Sequence, residues 1–153
     1  MAEKYMGKYY IPVFDKEVEL HFGYDYDETG WGKVEAPPTK DEIEEYENVL
    51  KIFIENINQI IESIKEEAFN YFKEEKTPYA KVFEEENFVK INDKEKHFEY
   101  MKNLFSIRVV KNKKIVLSIA YEIDEEHQME ILLKNNHVFK ISEANETYFW
   151  TNE

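Results

Sequence analysis

The sequence predicts an α+β domain in which an antiparallel meander sheet packs against one long amphipathic helix. An N-terminal β-hairpin and a short second helix complete the expected fold. Three observations carry this reading. Apolar residues from Ile43 to Ile64 recur at alternating steps of three and four, which places them on one face of a helix. From Phe105 onward the period becomes two, the spacing of a half-buried strand, and turn residues interrupt it at short intervals. Residues 5–22 show the same alternation around an Asp15-Lys16 turn.

The N-terminal pair comes first. Tyr9, Ile11 and Val13 alternate with Tyr10, Pro12 and Phe14, and Val18, Leu20 and Phe22 alternate with Glu17, Glu19 and His21. Proline lacks the N–H that a central strand must donate, so Pro12 assigns the first strand to an edge. A loop follows from Tyr24 to Pro38, stiffened at its exit by Pro37-Pro38.

Thr39-Lys40-Asp41-Glu42 is a capping box: the threonine hydroxyl accepts from the N–H of Glu42, whose carboxylate reaches back to the N–H of Thr39. The helix it opens carries Ile43, Tyr46, Leu50, Phe53, Ile57, Ile60 and Ile64 on one side, widened by Val49, Ile54, Ile61 and Ala68. It is expected to run to about Lys76, where Thr77-Pro78 stops it. The stripe reads as a core-facing surface, since a coiled coil sustains its heptads for longer. Residues 79–91 have no clear period. Asn92-Asp93-Lys94-Glu95 is a second cap, opening a short helix through Phe98, Met101 and Leu104.

The meander is expected to use Ile107 and Val109, then a turn at Asn112-Lys113, then Ile115, Leu117, Ile119, Tyr121 and Ile123 on one longer strand. A turn at Asp124–His127 leads to Met129, Ile131 and Leu133. Asn135-Asn136 tolerates positive φ and makes a tight turn into His137, Phe139 and Ile141. With no repeat, linker or low-complexity stretch, the 153 residues read as a single domain, long enough to bury roughly 68–70% of the unfolded surface.

Composition limits the chemistry. Hydrophobic residues make up 42% of the chain and aromatics 16%, which a disordered chain would not carry. The absence of cysteine excludes disulfides, thiolate catalysis and Cys-ligated zinc. All four glycines (Gly7, Gly23, Gly30, Gly32) fall early, and none builds a phosphate-cradling loop or a nucleophile elbow. There is no signal-peptide pattern and no long apolar run, which points to the cytoplasm and to no membrane partner. No cofactor is expected. The net charge is −13, and it is uneven: residues 1–76 hold 9 Lys against 19 acidic residues, while 77–153 hold 11 Lys or Arg against 14. Such a field repels nucleic acid and attracts a basic protein partner. The oligomeric state is not encoded in any of these patterns.

Several constellations could carry chemistry. The acidic side of the long helix (Glu44, Glu55, Glu62, Glu66, with adjoining Glu45 and Glu47) is the expected partner-binding surface, although helices also expose carboxylates for solubility alone. Asp25, Asp27 and Thr29, followed by Gly30, match the opening of a calcium loop, with oxygen ligands at alternate positions and a glycine at the sixth. Position 12 is Ala36 instead of a bidentate glutamate, so any affinity is expected to be weak, and an Asx-type turn explains the same residues. Asp124-Glu125-Glu126-His127 sets three carboxylates beside an imidazole, a pairing used in acid–base work and metal binding, or simply a solvated turn. The C-terminal Tyr148-Phe149-Trp150 is either a packed tail or a contact surface.

Two stretches resemble a known type of domain. A capped helix follows a Pro-rich loop with an apolar-Asn pattern at Phe53-Ile54-Glu55-Asn56, and a later turn and strand read Asp124-Glu125-Glu126-His127-Gln128-Met129-Glu130-Ile131. Over about residues 37–142 the chain looks like small bacterial domains similar to immunity proteins of polymorphic-toxin systems. Those domains would place a glycine after the histidine, where this chain has Gln128. The resemblance implies a non-enzymatic protein that neutralises a basic partner. A weak calcium-responsive module using the Asp25–Gly30 loop is the alternative, and an enzyme of unknown class comes third.

Overall fold

In a computed structural model, the described residues are 6–23, 38–74 and 78–143. They form four α-helices and one six-stranded mixed sheet with strands in chain order. The Asp25–Gly30 loop and the Tyr148–Trp150 cluster lie outside the described residues.

The first hairpin joins β1 (Met6–Ile11) to β2 (Lys16–Phe22). Pro12 leaves the ladder, opening a single 3-10 turn through Phe14, and Asp15 closes it in the left-handed region at φ 51°. β1 is an edge strand as expected, but the first strand stops at Ile11 and Pro12 lies in the turn beyond it, so the proline does not impose the edge. β2 ends at the buried Gly23, whose φ of 74° suits a residue without a Cβ. The Gly23 N–H donates to the carbonyl of Val109, and its own carbonyl accepts from Arg108.

The capping box forms as expected, with Glu42 N–H donating to Thr39 Oγ1 at 3.2 Å and Thr39 N–H to Glu42 Oε1 at 2.8 Å. The expected single helix is two: α1 (Lys40–Glu55) and α2 (Ile57–Glu74). Asn56 separates them at φ −110° and ψ 15°, with its side-chain amide donating to the Ile52 carbonyl at 2.8 Å. The Ile52 carbonyl accepts from the Asn56 backbone N–H as well, at 3.2 Å, so the side chain caps the end of α1. Both halves keep their stripes inward. α1 lies against β3, and α2 lies against β6 and the short helix at Lys94–Phe98. Ile43, Leu50, Phe53, Ile60 and Ile64 are buried, whereas Ile57, beside the break, is half-buried.

The unpatterned stretch after Pro78 is also helical, as α3 (Pro78–Asn87). Phe88 and Val89 close it with N–H bonds to Glu85 and Glu84, Phe88 taking the left-handed position at φ 54° that glycine usually fills. The second cap works through Asp93, whose carboxylate accepts from Lys96 N–H at 2.8 Å. The helix it opens, α4 (Lys94–Phe98), is shorter than expected and runs into a 3-10 turn at Glu99–Met101, so Leu104 already belongs to the sheet.

The meander comprises β3 (Leu104–Val110), β4 (Lys114–Ile119), β5 (Met129–Lys134) and β6 (His137–Ser142). Both predicted Asn-containing turns are present, and Asn112, Lys113, Asn135 and Asn136 all have positive φ. Two expectations are corrected. β4 stops at Ile119, and Tyr121 and Ile123 are buried from a turn. The sheet is not purely antiparallel either, because β2 pairs in parallel with β3, Glu19 lying opposite Ser106. The four helices form the crossover that a parallel pair requires.

Ile107, Val109, Ile115, Leu117, Ile119, Ile131 and Leu133 face the helices in one continuous core. Val110, Val116 and Leu132, on the opposite pleat, are buried outside it together with Lys114. Burial on both faces explains why the central strands read as nearly unbroken apolar runs.

Candidate functional site: an acid-rimmed groove beside the β4–β5 turn

The segment between β4 and β5 is held by its own side chains. Asp124 accepts from the His127 N–H at 3.2 Å, and its carboxylate oxygens lie 3.1 Å from His127 Nδ1. Gln128 adopts φ 60°, so the position where the resemblance would place glycine does have a left-handed backbone. Its side chain offsets the strain by accepting from Tyr121 N–H at 2.7 Å, a bond glycine could not make.

The hydrogen bond from Asp124 raises the His127 pKa above the usual imidazole value, burial opposes it, and the carboxylates of Asp124, Glu143 and Glu126 add to the rise. An Asp124→Asn substitution removes the strongest of these influences. The His127 pKa, followed by NMR titration of the imidazole protons, is expected to fall towards the ordinary value. An unchanged midpoint would place the source of the field elsewhere. Glu143, at the end of β6, joins this pair so that one ligand atom from each of Asp124, His127 and Glu143 lies within 4.8 Å of the others. These three could hold a cation, but the imidazole already satisfies Asp124.

Asp124 also belongs to an open groove of about 620 Å³ between α3 and this turn. Its floor is Val82, Phe83, Tyr100 and Ile123, with Phe83 and Tyr100 meeting edge to face at 5.0 Å. Its rim is Glu86, Glu122, Asp124, Glu125 and Glu126, with Asn87. Among the described residues, no lysine, arginine or histidine lines it.

Beneath lies a buried pair, His97 Nε2 and the Tyr121 hydroxyl, at 2.6 Å. Phe72 and Phe69 flank the imidazole at 5.0 and 6.1 Å. Burial lowers the His97 pKa to about 4. Burial, with Tyr71 and Asp124 adding to it, raises that of Tyr121, so the phenol stays protonated. Among the described residues, His97 Nδ1 finds no hydrogen-bond partner.

Glu44, Glu45, Glu47, Glu55, Glu62 and Glu66 are all exposed on α1 and α2. Glu62 bonds Lys65 at 3.0 Å, a surface pair of small energetic weight. None of the six lines the groove. Asp25, Asp27 and Thr29 lie outside the described residues, as does the calcium-loop reading they carry. Sequence reasoning found the Asp124–His127 turn but missed Val82, Glu86, Tyr100 and Glu122. The acidic runs at 84–86 and 122–126 were the available signal, and only the fold brings them face to face.

Fold and groove define the chain as an acidic α+β domain with a concave, carboxylate-edged surface. It belongs to the family described as a domain of unknown function (DUF6985), whose model matches residues 2–149. No curated protein and no solved structure matches it. Among the described residues, no helix is long and apolar enough to cross a membrane.

Proposed function

We propose that this protein is a non-enzymatic binding protein, immunity-like in mechanism, that neutralises a basic protein partner through its acidic surface in the cytoplasm. The observation that carries the reading is the exposure of Glu44, Glu45, Glu47, Glu55, Glu62 and Glu66 along the two helices covering the sheet. Segment 39–76 holds 5 Lys against 11 acidic residues, so the field over this layer is strongly negative. Such a field speeds encounter with a cationic protein and disfavours nucleic acid.

The test uses a basic protein encoded beside this one. Its association rate is expected to fall steeply as salt shortens the Debye length from about 30 Å at 0.01 M to about 10 Å at 0.1 M. Glu55→Lys with Glu62→Lys is expected to lower that rate while leaving the melting temperature nearly unchanged, since both carboxylates are exposed. Normal association of the double variant without salt dependence would rule out the helical face.

A further inference from the structure

We infer that the groove between α3 and the β4–β5 turn is a seat for a basic side chain, lysine or arginine, presented on an extended protein segment. This rests on the reading that the partner is a basic protein, but it places a contact away from the glutamates of α1 and α2.

The groove is amphipathic in the sense such a side chain requires. Val82, 47% exposed although apolar, shares the floor with Phe83, Tyr100 and Ile123. These surfaces suit the methylene stem of lysine or arginine, and the aromatic rings suit a cation. Lys96 already illustrates the pairing, with its ammonium 5.7 Å from the centre of the Tyr100 ring. Around the floor stand five carboxylates, with no lysine, arginine or histidine among the described lining residues. An anion would be repelled, and a neutral apolar guest would desolvate charges without pairing them.

The spread of the rim separates an organic cation from a metal ion. A metal needs ligand atoms that converge on one point. Among the described residues, the group that does so is Asp124, His127 and Glu143, to which the rim contributes Asp124 alone. Glu86, Glu122, Glu125 and Glu126 are instead distributed along the edge, as a planar guanidinium or a mobile ammonium with flanking backbone N–H groups would use them. The volume of about 620 Å³ exceeds one side chain and accommodates its neighbours in an extended strand.

The probe is a blocked pentapeptide, acetyl-Gly-Leu-Arg-Leu-Gly-amide, titrated into the ¹⁵N-labelled full chain. A second peptide carries citrulline, a neutral shape mimic, in place of arginine. The arginine peptide is expected to shift the amide signals of Val82, Phe83, Tyr100 and Ile123, and the citrulline peptide to bind about tenfold more weakly, or 1.4 kcal/mol. Glu122→Gln with Glu125→Gln is expected to weaken the arginine peptide by a similar factor while the melting temperature holds.

Equal binding of both peptides, shifts confined to α1 and α2, or no shifts at millimolar peptide would each overturn the inference. The Glu55→Lys, Glu62→Lys variant separates the two readings. If it still binds the peptide normally but associates slowly with the partner, both stand as separate surfaces. If the peptide fails on the native chain while partner association keeps its salt dependence, the groove reading alone falls.

Discussion

Phe53→Ala is expected to cost about 3–5 kcal/mol of folding stability, the range for removing a large aromatic from a packed core. Phe53 sits in the last turn of α1, is 1% exposed, and belongs to the continuous core between helices and sheet. Asn56 interrupts the helix just beyond it, and its side-chain hydrogen bond to the Ile52 carbonyl caps the end of α1. Because the backbone on both sides is anchored, the void left by alanine cannot readily collapse. Ile57, on the far side of the break, provides the internal comparison. It is only half-buried, so Ile57→Ala is expected to cost clearly less than Phe53→Ala. Leu50→Ala is expected to fall within about 2–5 kcal/mol. Urea unfolding of the three variants at equal m-value is the measurement. A Phe53→Ala loss below about 1 kcal/mol would mean that the interrupted helix does not close the core as described.

The second large effect is a pH dependence centred on His97. In the fold the imidazole is fully buried among aromatic rings, and its pKa falls from 6.5 to about 4. Unfolding returns it to the ordinary value, so between these limits the unfolded chain binds the extra proton and is favoured as pH falls. The neutral imidazole's contribution is therefore complete above about pH 6.5 and is lost as pH drops towards about 4. The size is of order 3 kcal/mol. Many carboxylates titrate in the same window, so the test is a difference. His97→Gln keeps a hydrogen-bonding group, donor and acceptor both, for the Tyr121 hydroxyl but cannot take up a proton. Between pH 7 and 4 the native chain is expected to lose about 3 kcal/mol more than this variant. Parallel stability curves would assign the acid sensitivity to the carboxylates.

Features encoded by neighbouring residues were legible before the structure. The Thr39 capping box and the Asn135-Asn136 turn each depend on a few adjacent side chains. The break at Asn56 was not, because the apolar steps of three and four continue through it unchanged. α3 escaped notice because Ala80 is the only residue on it described as buried, which leaves too little pattern to detect. Tyr121 and Ile123 misled by continuing the strand period, although their burial comes from a turn. For the site, the acidic turn was evident, and its opposition to Glu86 across an apolar floor was not. That arrangement depends on where α3 settles, and no local spacing records it.

The parallel pairing of β2 with β3 has a kinetic consequence. It aligns Glu19 with Ser106, and nearby Lys16 bonds Asn103 across 87 positions of chain. The ladders from β3 to β6, by contrast, join neighbours through short turns. Closing the long loop costs chain entropy before any contact rewards it, so the four-stranded meander forms early and the first hairpin docks late. On the ribosome the order of synthesis runs the other way. The two strands made first wait, with β2 unpaired on one side, until β3 has emerged. During that interval the exposed side of β2 is the part of the sheet most open to pairing with another chain.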